Sequence, residues 1–404
     1  MKTTGVKILR RYVDTKYSQE KSLFLRYRPL SHFEGIKKED IKKVHIREGS
    51  RIINFFDYHG VPIYLADEST FMAAGNFKTL EACFTIAYSK KRGYKKLAFS
   101  SGANLGSALT LYGQKCGIET FFFQPKAATW KLDNSLFHSP TAHLIAVDKP
   151  EKEVKYAARA FAKLSGAKHV PKAKWRYFAT GMRAMFVFEY MLEHNIRFDW
   201  INQAVCAGYG PVGFYNCAKG LIRKNIVPKG LVPGFLGVQQ AGLCPIVKAW
   251  QHEHSLINSD DVASGKGAIL SPSLYNTNPD KSYPLLYKHL VRFGGHMISI
   301  NAAEYARYLP LLLKEFAKKN IQIAQREIDG ENRILENAGL IGLAGCLKAI
   351  DKRIVNKGEN VLSFFTGGAG SYSKEPPKPE FEIHKNDDIL NALKAYIKNA
   401  YFSK

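Results

Sequence analysis

Gly75-Asn76-Phe77-Lys78-Thr79-Leu80-Glu81-Ala82 decides how this chain is read. A lysine directly follows a Gly-Asn turn and opens an apolar run whose spacing predicts a helix. A buried strand is predicted at Leu97-Ala98-Phe99, and a second polar turn follows it, Ser100-Ser101-Gly102-Ala103-Asn104. Much later come a glycine loop, Gly208-Tyr209-Gly210-Pro211-Val212-Gly213, and a Thr-Gly-Gly-Ala-Gly turn from Thr366 to Gly370. The chain thus carries one amine, two glycine turns and a late hydroxyl. Their order says more than any one of them.

Outward from these motifs, helical and strand patterns alternate. Helices are predicted over 105–115, 151–164, 181–194 and 214–223, and strands over 120–123, 144–147, 204–207 and 231–238. Alternation of this kind predicts parallel sheets flanked by helices. Residues 255–280 are rich in Ser, Asn, Gly and Pro and read as a long surface loop. Amphipathic helices are predicted over 305–318 and 339–350, with a last strand at 360–365. A stiff Lys-Glu-Pro-Pro-Lys-Pro connector (374–379) precedes a C-terminal helix at 389–399.

The 404 residues can bury two or three packed units. Hydrophobic content of 46% and charged content of 23% are those of a soluble globular protein. No apolar run approaches the ~20 residues of a membrane span, and the basic start lacks a secretory core. A cytoplasmic protein with no membrane partner is expected. Six cysteines without a Cys-x-x-Cys spacing give no zinc or iron–sulfur pattern, so no metal is expected and reduced thiols are. The net charge is +24, from 59 Lys+Arg against 35 Asp+Glu. The basic residues are scattered in short clusters, which argues against a dedicated nucleic-acid surface. Lys126, Lys131, Arg176 and Arg183 read as surface charges; the other reading has them meet a phosphate or sulfite on a substrate.

A lysine ammonium has an ordinary pKa near ~10.4, so about one in a thousand or fewer is a neutral nucleophile at pH 7. Burial or a cationic neighbour lowers that value. Lys78, between Phe77 and the Leu80/Ala82/Phe84 face, is placed for partial burial. The turn at 100–104 precedes a helix, whose N-terminus attracts a carboxylate. The glycine loop also opens a helix, and its N–H groups can approach a phosphate. Gly208, Gly210 and Gly213 have the G-x-G-x-x-G spacing, but no acidic residue stands ~20 residues on, where a dinucleotide ribose would need one.

Taken together, these motifs resemble the fold-type II pyridoxal-phosphate (PLP) enzymes, the group of tryptophan synthase β, O-acetylserine sulfhydrylase and threonine synthase. Within that group the chain resembles cysteate synthase and the threonine synthases. The resemblance spans 65–372, and its most specific parts are Phe77-Lys78-Thr79-Leu80-Glu81-Ala82 and Gln203-Ala204-Val205-Cys206-Ala207-Gly208-Tyr209-Gly210. It implies a two-domain α/β fold with open, twisted, mostly parallel sheets and the cofactor in the cleft between domains. It also implies roles. Lys78 would bind PLP through its amine and then act as the base at Cα. Asn104 would bond the cofactor's phenolic oxygen. Ser100, Ser101, Gly102 and Ala103 would hold the substrate carboxylate. Gly208, Tyr209, Gly210, Pro211, Val212 and Gly213 would cradle the phosphate, and Thr366 would meet the pyridine nitrogen. A neutral hydroxyl there does not force that nitrogen to be protonated, which favours elimination or replacement over transamination.

The resemblance further implies a small amino-acid substrate with an activated hydroxyl, such as an O-phosphorylated one, and a homodimer. The domains are expected as 1–80 with the large domain, 81–183 as the small one, 184–373 as the large PLP-binding one, and 374–404 as an extension. There are departures. Asn76 stands where the family has Ser, the 101–105 turn carries one extra residue and lacks a Thr, and Tyr209 and Pro211 are unusual in a phosphate cup. They leave a second reading, a non-catalytic member that binds an anionic ligand or nucleic acid through its basic surface.

Overall fold

A computed structural model describes residues 9–28, 33–262, 267–328, 330–369 and 373–402. After two short helices (Leu23–Arg26 and Lys38–Lys42) comes a hairpin of β1 (Arg51–Tyr58) and β2 (Val61–Asp67). Helix α1 (Lys78–Lys91), β3 (Lys96–Ser100), α2 (Asn104–Lys115), β4 (Glu119–Pro125) and β5 (Ala142–Val147) follow. Then come α3 (Glu151–Ser165), the short β6 (Lys168–His169), α4 (Ala173–Glu193), β7 (Trp200–Ala204) and α5 (Tyr209–Arg223). Next are β8 (Gly234–Gln240), α6 (Pro245–Gln251), α7 (Tyr283–Phe293), β9 (Gly295–Ile300) and α8 (Ala302–Lys318). A small pair, β10 (Gln325–Ile328) and β11 (Glu331–Ile334), leads to α9 (Ala338–Asp351) and β12 (Val361–Phe365). The last elements are β13 (Phe381–Ile383) and α10 (Ile389–Phe402).

The strands form two main sheets. One has the order β1-β2-β12-β7-β8-β9 and is parallel except at the β1–β2 hairpin. The other has the order β13-β5-β4-β3-β6 and is parallel throughout. Parallel strands need crossovers, and the helices between them supply these. The two sheets and their flanking helices are the expected α/β architecture. The C-terminal segment is not a separate tail. β13 continues the second sheet beside β5, and α10 packs Ile389, Leu393 and Tyr396 against Phe161 of α3.

Some predicted boundaries move. The strand expected at 204–207 lies at Trp200–Ala204, so 205–207 belongs to the loop. The helix expected from 214 starts at Tyr209, inside the glycine motif. Helix α4 starts eight residues before the expected 181. The segment read as a surface loop is partly buried: Ser271 and Leu274 are covered and line the interior. Of the late glycine turn, Gly370 lies outside the described residues. No helix among the described residues is long and apolar enough to cross a membrane.

Candidate active site

Asn76 shapes the turn before α1. Its Oδ1 accepts from the Lys78 N–H at 3.1 Å, and its Nδ2 donates to Ala74 O at 2.6 Å. Gly75 supplies the left-handed step, with φ of +63°. The Phe77 N–H donates to Thr366 O at 3.0 Å, and Asn76 bridges to Gly367. The lysine turn and the late glycine turn thus form one wall at the carboxyl end of β12. In parallel α/β sheets, such ends are where ligands bind.

Lys78 is the first residue of α1, and its Nζ donates to Glu81 Oε1 at 2.7 Å. Glu81, one turn on, is buried and also accepts from Arg176 Nε. The Arg176 guanidinium lies 3.7 Å from the centre of the Tyr209 ring. A chain of side chains therefore links the Lys78 amine to the glycine loop. Burial pushes the Lys78 pKa below its ordinary value; Glu81 opposes this and Arg176 adds to it. Burial acts to raise the Glu81 pKa, but Arg176 and Lys78 outweigh it and hold the carboxyl low. Burial pushes the nearby Cys206 thiol up to about 11, so it stays protonated at neutral pH.

A second centre forms around Glu336, just before α9. Its Oε2 accepts from Asn104 Nδ2 at 2.8 Å and from Lys131 Nζ at 3.2 Å. Its Oε1 accepts from Ser273 Oγ at 3.0 Å and from the Ala338 N–H at 2.8 Å. The Lys131 and Glu336 side chains are only 2% and 3% exposed, so this is an interior ion pair. Burial opposes ionisation of Glu336, and Lys131 with these donors more than compensates, lowering its pKa. A side chain on Gly367 would come within 3.2 Å of Glu336 Cγ, which places this centre beside the Asn76–Lys78 wall.

The turn at Ser100–Asn104 runs from the end of β3 into α2. The Ala103 N–H donates to Ser101 Oγ at 3.3 Å, and Gln124 Nε2 donates to Gly102 O at 3.3 Å. Gly208 caps α5 with φ of +79°, so its conformation favours glycine. Tyr209 and Gly210 open that helix with N–H groups at its positive end. The rest of the motif departs from the expected cup. Pro211 has no N–H, and the Val212 N–H already donates to Gly208 O at 3.1 Å. Gly213 faces α4 instead: a Cβ there would lie 2.0 Å from Thr180 Oγ1 and 2.5 Å from Tyr177 O. Its small size serves helix packing.

Below the loop, Arg183 is fully buried and pairs with Glu68 by two bonds, at 2.6 and 2.8 Å. Burial raises the Glu68 pKa despite Arg183. The remaining Arg183 Nη1 is buried without a hydrogen-bond partner among the described residues, next to Gly210.

Residues 51–367 match the family described as pyridoxal-phosphate dependent enzyme. The chain belongs to that family. Cysteate synthase from Methanospirillum hungatei JF-1 is 23% identical over 314 residues, which are 76% of this chain and 69% of that protein. Among solved structures, holo diaminopropionate ammonia lyase from Escherichia coli superposes with a TM-score of 0.61 at 15% identity. That match covers 93% of this chain and 95% of the other. The L-serine ammonia-lyase of the fungus Rhizomucor miehei gives 0.58 at 17%, covering 82% and 95%. The fold is that of the two-domain fold-type II PLP enzymes, and PLP is the cofactor.

This PLP enzyme's own residues fit the group. Lys78 offers a partly buried amine. Gly208 to Gly210 offer a helix N-terminus free of side chains at 208 and 210. The orphaned Arg183 Nη1 adds positive charge behind it. Of the four basic residues read as surface charges, Lys131 and Arg183 are interior and Arg176 is partly buried; Lys126 is exposed and pairs with Glu382 at 2.7 Å. The roles of Glu81, Glu336, Glu68 and Ser273 were missed. A signal existed for two of the pairs. Glu81 and Arg183 are lone charges inside apolar helical runs, and such residues are seldom buried unpaired.

Proposed function

We propose that this enzyme eliminates or replaces a leaving group at Cβ or Cγ of a small amino acid whose hydroxyl is activated, as in a phosphate ester. The observation that carries this reading is Lys131, an ammonium held in the interior by Glu336 beside Asn104. A buried cation at that place can accept a departing anion and protonate it. Activities like those of cysteate synthase and threonine synthase are the two concrete versions.

PLP supplies an electron sink for the Cα carbanion. The chain's residues do the rest. Lys78 Nζ would hold the cofactor and would serve as the base for the Cα proton. The Ser100–Ala103 turn orients the substrate carboxylate at the N-terminus of α2. The Tyr209 and Gly210 N–H groups would hold the cofactor phosphate. Thr366 would offer a neutral hydroxyl to the ring nitrogen, and Asn104 would serve the phenolic oxygen. Residues 81–183 close over the cleft as the small domain and exclude water. A homodimer is the assembly that goes with this reading.

The test is direct. Purified protein should be yellow, and borohydride should fix the cofactor to Lys78. A screen of amino-acid O-phosphates and O-acetyl esters, read by release of phosphate or acetate, should find a substrate. A colourless protein that binds polyanions in a salt-sensitive way would favour the non-catalytic reading instead.

A further inference from the structure

His252 and His254 follow α6 and face Asp261 of the short helix Ser259–Val262. Asp261 is buried, whereas His252 is half exposed. His252 Nδ1 lies 2.9 Å from Asp261 Oδ1, and His254 Nδ1 lies 3.1 Å from Oδ2. We propose that these three side chains bind a divalent transition-metal ion of the zinc type, through both Nδ1 atoms and the Asp261 carboxylate.

Two observations carry this. The first is geometric. Ligands about 2.0–2.1 Å from zinc sit about 2.9–3.4 Å from one another. Both Nδ1-to-carboxylate distances fall in that range, and the ligand atoms all lie within 4.8 Å of each other. The second is charge. The ion-pair partners of the buried Asp261 carboxylate among the described residues are these two imidazoles. A buried carboxylate calls for a cation, and a divalent ion supplies it.

Two imidazoles and one carboxylate suit zinc, cobalt or nickel better than magnesium or calcium, which prefer all-oxygen shells. Water completes the coordination. The site also bears on the cleft. The Tyr283 hydroxyl donates to His254 O at 2.7 Å, and Tyr283 begins α7. Ser282, just before it, donates to Ala207 O beside Gly208. A bound ion would brace the end of α7 that leans on the glycine loop.

The test uses untagged full-length protein cleared of metal with a chelator. Zn2+ is titrated by calorimetry, and Co2+ is followed by its visible spectrum. One ion per chain is expected, with Mg2+ giving no comparable signal. His252→Ala and His254→Ala should each weaken zinc binding tenfold or more. His252 is exposed enough for its variant to fold, which an unchanged melting temperature in chelator would confirm. The proposal is overturned if wild type takes up no zinc. It is equally overturned if the double variant H252A/H254A binds zinc as tightly as wild type, since another site would then hold it. Neither outcome depends on the PLP reading.

Discussion

Replacing Glu81 by glutamine should make the Lys78 amine more reactive, not less. In the wild type the Lys78 ammonium lies 2.7 Å from Glu81 Oε1, and Arg176 holds the other carboxylate oxygen. With charge centres about 4 Å apart and an effective dielectric near 20, the carboxylate attracts the ammonium by about 4 kcal/mol. Glutamine keeps the shape and removes that charge. It also leaves Arg176 as an unneutralised positive neighbour. Both changes lower the Lys78 pKa further. If water screening cancels two-thirds of the effect, about 1.4 kcal/mol remains, which is tenfold in the neutral-amine fraction. The assay is competitive labelling of the cofactor-free protein with an amine-reactive reagent, read at Lys78 by mass spectrometry from about pH 6 to pH 10. The midpoint for labelling should move to lower pH in Glu81→Gln. Stability should fall as well, since a buried carboxylate and its two cations act as a unit. Labelling of Lys78 as slow as wild type across the whole range would refute the ion-pair argument.

Other outcomes follow from the same geometry. Lys78→Ala should abolish borohydride fixation of the cofactor while leaving the fold intact, checked by peptide mapping and circular dichroism. Lys131→Met strands a buried Glu336 carboxylate and should cost about 3–5 kcal/mol in denaturant unfolding; it should also slow release of an anionic leaving group. Gly213→Ala places a methyl 2.5 Å from the fixed Tyr177 carbonyl oxygen, so α4 and α5 must part, at about 1–3 kcal/mol by the same measurement. Burial lowers the His289 pKa to about 4, with Lys219 and Arg292 adding to it. The folded state therefore keeps this ring neutral where the unfolded chain, near ~6.5, takes up a proton. Its stabilising effect is full above that value and is lost as pH falls toward about 4, on the order of 3 kcal/mol in all. His289→Gln should flatten that part of the stability–pH curve.

Much of the site was legible in the sequence because its chemistry is local. Lys78 needs only a turn before it and a helix after it. The turn at Ser100–Asn104 and the loop at Gly208 announce helix N-termini by composition alone. Strand and helix alternation likewise gave the parallel sheets, since each face's periodicity is written in adjacent residues. The misplaced boundaries have a local cause too. In the glycine loop, Tyr209 to Gly213 look like turn residues, yet Pro211 and the small glycines are tolerated in the first turns of a helix packed tightly on α4.

The sequence by itself determined the amine, the order of the polar and glycine turns and the α/β class, because each depends on residues close together in the chain. Only the tertiary structure decided which charges lie inside. Lys131 reaches Glu336 across 205 positions and Arg183 reaches Glu68 across 115. Nothing near Lys131 marks such a partner, and the apolar run around Arg183 says that it needs one without saying which. Whether a charge is solvated or interior depends on what folding brings against it, and that is fixed when the two sheets meet at the cleft.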